Sequence, residues 1–221
     1  MNFELNETQK DLRKTMAAFF QTEILPGAAA LDAMPKEQVA TAIRANLKKL
    51  GTAGYLNLLL EDDLISQCVA GEEAARACPA TFVSAMSAAT AFGLPVKRFG
   101  TPAQQEKYLP GVVRGDFIGG LACTEADAGS DLAGIRTTAE RKGSNWNLNG
   151  SKYLVTNAPI ADALLVLAWT DHSAGLEKGL TFFIMEKGTK GLAIGPPLET
   201  MGLRGAPVSY THLTLPTKRI V

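Results

Sequence analysis

The hydrophobic period of this sequence changes near residue 116, and that change constrains the fold more than any other feature. Before it, apolar residues recur at helical spacing. Leu5, Leu12, Met16, Phe19 and Phe20 share one face, with Asn6 placed to cap the start and Pro26 to close the segment. Pro35 opens a second helix, in which Val39, Ile43, Leu47 and Leu50 follow at intervals of four, four and three before Gly51 ends it. Leu64 to Ala77 and Thr81 to Ala91 read as two further helices. The second is rich enough in Ala and Ser to pack closely on a neighbour or a ligand. Thr101 with Gln104 forms a capping-box pattern that leads a short helix to Leu109.

Beyond residue 116 the pattern becomes that of strands. Phe117 to Cys123 is short and apolar, and Ile135 to Lys142 alternates. Gly143-Ser144-Asn145 turns, and Trp146 to Leu148 returns. Asn149-Gly150 predicts a hairpin, with Lys152 to Thr156 as its second arm. Ala163 to Trp169 and Leu180 to Met185 read as buried strands. The expected class is therefore α+β, a helical amino-terminal domain over 1–116 followed by an antiparallel β domain over 117–207. No GxGxxG or GxxxxGK[ST] occurs, so neither a dinucleotide-binding turn nor a P-loop is indicated.

Composition narrows the function classes. Lys plus Arg and Asp plus Glu number 22 each, so the net charge is zero and no basic stripe invites nucleic acid. The segment from Met1 to Lys14 is charged throughout, which is unlike a signal peptide, and apolar runs such as Ala161 to Trp169 are too short to span a bilayer. Cys68, Cys78 and Cys123 lack metal-ligand spacing. They read as reduced, buried small hydrophobes in a cytoplasmic protein. His172 and His212 stand apart in no zinc motif, so no metal is expected.

Two segments carry chemistry. Leu121-Ala122-Cys123-Thr124-Glu125-Ala126-Asp127-Ala128-Gly129-Ser130-Asp131 follows an apolar strand and offers backbone N–H groups and hydroxyls, which suit a ligand bearing carbonyls or phosphates. Asn149 to Asn157 ends in Thr156-Asn157, placing a hydroxyl at a strand end where it can donate to a ring nitrogen. Taken singly, each is better read as a plain polar loop or a plain hairpin.

In order along the chain, these segments resemble the acyl-CoA dehydrogenase family. The likeness runs from Phe3 to about Pro207. It rests on Phe3-Glu4-Leu5-Asn6-Glu7-Thr8-Gln9, Glu72-Glu73-Ala74-Ala75-Arg76 and Phe99 to Pro110. The Thr124-Glu125 to Gly129-Ser130-Asp131 signature, Asn149-Gly150-Ser151-Lys152 with Thr156-Asn157, and Met201-Gly202-Leu203-Arg204-Gly205 complete it. The resemblance implies FAD as cofactor, an acyl-CoA substrate, an electron-transfer flavoprotein as partner and a homo-oligomeric assembly. It implies removal of an α-proton by a carboxylate while the β-hydrogen passes to flavin N5, giving a 2-enoyl-CoA. By position, Leu121, Ala122, Cys123, Thr124, Gly129 and Ser130 would line the flavin, and Ser130 would also meet the acyl-CoA. Leu154, Val155 and Thr156 would form a second wall. The family's catalytic glutamate belongs to a carboxy-terminal helical bundle, so no residue here is assigned as catalytic base, and Glu125 is taken as structural. Ala126 stands where proline is common and Leu154 where many relatives carry tryptophan, which removes aromatic stacking worth about 1 kcal/mol. A flavin oxidase or monooxygenase on the same scaffold is the alternative enzyme. A non-catalytic helical-plus-β module is the alternative for the chain alone.

After Pro207 the sequence departs from the family. Val208-Ser209-Tyr210-Thr211-His212-Leu213-Thr214-Leu215-Pro216-Thr217 is encodable by GTC TCT TAT ACA CAT CTG ACG CTG CCG ACG, a string that resembles a sequencing-library adapter read in frame. Residues 208–221 are accordingly expected to be a non-native tail, and His212 is given no role.

Overall fold

A computed structural model describes residues 4–217. Phe3, where the family likeness begins, and Lys218–Val221 of the suspected tail lie outside the described residues. The helical half begins with α1 (Glu7–Glu23), where Asn6 accepts from the Gln9 N–H and the Gln9 side chain accepts from the Asn6 N–H. Pro26 does end this segment, but it also sits in the first turn of α2 (Leu25–Ala33), where its missing N–H costs nothing. In α3 (Lys36–Thr52), Val39, Ile43, Leu47 and Leu50 are all buried, as their spacing predicts. Each such side chain contributes about 2 kcal/mol on leaving water. Phe20 of α1 meets Tyr55 edge-to-face at 5.3 Å, inside the short α4 (Tyr55–Leu58). Helix α5 spans Leu64–Ala77, the stretch its pattern marked.

The Ala- and Ser-rich segment is longer than expected. It runs as α6 (Pro79–Met86), a π-helical stretch Ser87–Gly93, and α7 (Leu94–Phe99). As one rod, Pro79–Phe99 is long and apolar enough to cross a membrane by length and composition, which the sequence reading did not anticipate. More than half of it is buried in this core. Helix α8 (Pro102–Arg114) carries the Thr101–Gln104 capping box and continues past Leu109, with Pro110 inside it.

The β half is a seven-stranded sheet. Its strands are β1 (Gly119–Ala122), β2 (Thr138–Lys142), β3 (Asn145–Thr156), β4 (Ala163–Trp169), β5 (Leu180–Glu186), β6 (Leu192–Ile194) and β7 (Val208–Thr217). The sheet is mixed where the sequence suggested purely antiparallel. β1 and β4 run parallel, because some forty residues of loop, hairpin and crossover separate them rather than a tight turn. Asn149-Gly150 does not turn. β3 runs straight through it, and the β2–β3 reversal falls at Gly143, whose φ of 63° suits a tight turn. Gly150 is needed for another reason: a Cβ there would collide with Thr137. The stretch set aside as a tail is strand β7, paired along β3; its Tyr, Thr and Val content suits an edge that offers free backbone groups.

Strand β4 joins the two halves. Ala163 and Leu165 belong to the core shared with the helices, and Leu164, Val166 and Ala168 to the core against β3. Polar clamps fix the same junction: Arg44 of α3 pairs with Asp162 at 2.8 Å, and Asp162 accepts from the Ile118 N–H at 2.8 Å. Tyr108 of α8 donates to Glu186 of β5 at 2.5 Å.

Candidate functional site

The site begins with an irregularity in β3. Its pairing with β7 is regular up to Lys152 opposite Thr211, then resumes at Val155 opposite Ser209. Tyr153 and Leu154 therefore face the single residue Tyr210, which makes a bulge. Leu154 takes φ 54° and is 52% exposed. A left-handed leucine stores about 1–3 kcal/mol of strain, and here it turns an apolar side chain outward. The Tyr153 ring packs on Tyr210 at 4.7 Å, and its N–H donates to the Thr124 carbonyl at 2.8 Å. The bulge thus sits against the segment that leaves β1.

Across from it lies the π-helical stretch. Widened turns of this kind are rare and cluster at functional sites. Ser87 donates to the Thr156 carbonyl at 3.3 Å. Asn157, wholly buried with φ 66°, donates to the Ser84 and Gly119 carbonyls at 2.9 and 3.2 Å. These bonds pin the end of β3 to α6 and to β1. Between the two halves opens a cleft of about 360 Å³, lined by Val83, Met86, Ser87, Thr90, Ala91, Leu121, Leu154 and Thr156. Its walls are apolar, with hydroxyls at a few points, and among the described residues no Asp or Glu lines it.

Behind the cleft is a buried polar network. Lys152, whose side chain has no exposure, donates to the Cys123 carbonyl at 3.0 Å and to Glu125 at 2.8 Å. Glu125 also accepts from the Arg136 N–H, the Thr137 N–H and the Thr137 hydroxyl. Burial pushes the Glu125 carboxyl up, but Lys152, Thr137 and the Arg136 N–H outweigh it and hold the group below the ordinary carboxylate range. Burial likewise pushes the Cys123 thiol up, which keeps it protonated and unreactive.

Comparison with known proteins decides the family. Residues 6–116 match the acyl-CoA dehydrogenase N-terminal domain, and residues 120–215 match the acyl-CoA dehydrogenase middle domain. The chain belongs to the acyl-CoA dehydrogenase family. It is 35% identical over 210 residues to a mitochondrial isovaleryl-CoA dehydrogenase of Pongo abelii, covering 91% of this chain and 49% of that protein. It is 37% identical over 210 residues to a mitochondrial 2-methylacyl-CoA dehydrogenase of Solanum tuberosum, covering 91% of this chain and 50% of that protein. Among solved structures, a glutaryl-CoA dehydrogenase from Mycobacterium smegmatis in complex with FADH2 superposes with a TM-score of 0.84 at 26% identity. That match covers 97% of this chain and 54% of the other. The chain spans about half the length of the curated relatives it matches.

Within this acyl-CoA dehydrogenase chain, the residues singled out from sequence fall into three groups. Leu121, Leu154 and Thr156 come together in the cleft. Thr124 and Cys123 lie beside them, half-buried, joined through backbone atoms to Tyr153 and Lys152. Ala122 and Val155 are not lining residues: both are buried in the sheet core, so only their backbones are near the site. Gly129 and Ser130 are exposed on the loop after Thr124 and do not line this cleft. Among the described residues, none bonds to the hydroxyl of Thr124, Ser130 or Thr156, which leaves three donors for a ligand. Ser87 and Thr90 were missed by sequence reasoning. Their only signal is the unusual small-residue content of that helix. The cysteines divide as well: Cys78 is buried, Cys123 intermediate and Cys68 exposed, so Cys68 is no core residue.

Proposed function

We propose that this chain forms the FAD- and acyl-CoA-facing half of an enzyme that converts an acyl-CoA thioester to its 2-enoyl-CoA. The observation that carries this is the meeting of Leu121, Leu154 and Thr156 in one cleft, with Thr124 beside them. Such a surface offers an apolar wall for a flat ring and neutral hydroxyl donors at its edge. FAD, when bound, would accept the β-hydrogen as hydride, and neutral donors suit a ring that gains negative charge. Thr124 and Thr156 would hold it, Leu154 would pack on it, and Ser130 would meet both cofactor and thioester. An apolar groove lined by Leu59, Leu64, Gly71, Phe82 and Met86 shares Met86 with the cleft and gives an acyl chain somewhere to lie.

The proton-abstracting carboxylate is proposed to come from outside these residues. Glu125 is committed to four donors behind the cleft and does not line it. The reading therefore includes a chain that, by itself, does not turn over, with an electron-transfer flavoprotein as acceptor and a homo-oligomer as the working state. Adding acyl-CoA anaerobically to flavin-loaded enzyme that also carries the proposed carboxylate-bearing segment should bleach the visible flavin band, while this chain alone should leave it unbleached. Electron-transfer flavoprotein should then restore the band faster than air does. A holoenzyme that reoxidises readily in air would sink the dehydrogenase assignment, and one that carries no FAD would sink the whole reading.

A further inference from the structure

We propose that Lys152 is a positioning residue that sets the distance between the two walls of the flavin-facing surface. This rests on the reading of the cleft as an FAD site, and it assigns a role to a side chain that touches neither cofactor nor substrate. The placement is specific. Lys152 stands on β3 immediately before the Tyr153–Leu154 bulge, and both of its acceptors lie on the segment that flanks Thr124, at the Cys123 carbonyl and the Glu125 carboxylate. The next residue, Tyr153, donates its N–H to Thr124 itself at 2.8 Å. Two consecutive residues of one wall are therefore fastened to three consecutive residues of the other.

Glu125 extends the fastening. Its carboxylate gathers the Arg136 and Thr137 N–H groups, and its backbone exchanges both hydrogen bonds with Ala128. The loop from Thr124 to Thr137, with Gly129 and Ser130 on it, is closed on this one residue, and Lys152 ties that closure to β3. A buried ion pair is a poor source of net stability, since desolvation offsets most of its attraction. Its value here lies in geometry: an ammonium with two fixed acceptors defines one separation of the strands, where an apolar side chain would tolerate several.

The test replaces both charges together, so that none is left buried and unpaired. In the holoenzyme, the Lys152→Met/Glu125→Gln variant should keep its circular dichroism and its apoprotein melting temperature. Its affinity for FAD should fall by about tenfold or more, as for other residues that support a binding shell. The bound flavin's absorption band should also shift, which a merely structural change would not produce. A second variant, Lys152→Gln/Glu125→Gln, retains one amide donor toward the Cys123 carbonyl and should fall between the parent and the first variant in both readouts. Unchanged affinity and spectrum in a folded variant would overturn the proposal alone. So would loss of flavin in both variants only in step with loss of folded protein. A parent protein that binds no FAD would overturn the cofactor reading and this proposal with it.

Discussion

The helical half and the sheet half of this molecule are held together by different physics. In the helical half the buried set is chiefly apolar, with Phe20, Ile43, Leu47, Leu50 and Phe92 at its centre; its buried polar groups are the short hydroxyls of Ser66, Thr81, Ser84 and Ser87 and the Glu73 carboxylate, which pairs with its neighbour Arg76. Its backbone hydrogen bonds close within helices and at their caps, while side chains such as Asn46, reaching Thr81, and Lys97, reaching the Leu60 carbonyl, link separate parts of it. The sheet half also buries apolar strands, but among them it places Lys152, Thr137, Asn157, Ser209 and Thr211 with no meaningful exposure. Burial of hydrocarbon is non-directional and forgives small shifts, whereas a buried charge or amide is satisfied at one position only. The first half is thus a scaffold that tolerates repacking, and the second holds chosen atoms at chosen places. The cleft lies where the two meet.

That contrast can be broken or sharpened by substitution. Lys152→Met alone leaves Glu125 buried without its cation and should cost about 3–5 kcal/mol in urea denaturation, most of it recovered when Glu125→Gln is added. The same pair should show in acid. A carboxyl held below its ordinary range stabilises the folded state above that range and loses its contribution as pH falls through the lowered value. The parent should therefore lose stability on acidification more steeply than the double variant. Equal slopes would remove the charge-based account of the sheet half. Leu47→Ala in the helical core should cost about 2–4 kcal/mol by cavity formation, with no dependence on pH between mild acid and neutrality. Gly150→Ala should cost about 1–3 kcal/mol, since its methyl meets Thr137. If Gly150 were a hairpin glycine, the loss would be a turn effect and Thr137→Ala would not relieve it. With the collision as the cause, adding Thr137→Ala, which removes the Oγ1 nearest the new methyl, should cost less than the sum of the two single changes.

The same division governs what could be read from the sequence. Helices α3 and α5, the Asn6 cap and the Thr101–Gln104 capping box were legible because their causes are local: spacing, a cap residue, a partner three positions on. Strands β1, β2, β4 and β5 were legible too, from apolar runs and alternation, whereas β3 was read as two arms and β6 and β7 were not marked as strands. What was not legible is set by residues far apart in sequence. Asn149-Gly150 resembles a turn until Thr137 is placed against it. Ala122 and Val155 sit inside a site motif, yet the alternation of a strand sends them to the core. The bulge at Leu154 exists only by comparison with β7, and Ser87 and Thr90 join the cleft only because a helix widens there. Thr124 and Thr156 were chosen by family likeness, and their segments are held together by the Tyr153–Thr124 bond and by Lys152, which reaches Cys123 and Glu125.

The widened stretch at 87–93 has a consequence of its own. A π-turn spends one more residue than an α-turn, so the rod from Pro79 to Phe99 carries a residue that regular coiling would not accommodate. Wound into regular coil, that residue would turn everything beyond it by about 100°; taken up by the widened turn, it leaves Val96 facing the core. Deleting one alanine there would let the coil tighten with Val96 still nearly in phase, and would remove the bulge that sets Ser87 against the end of β3. The widened turn therefore lets the helix carry a residue for the cleft without disturbing the packing on either side of it.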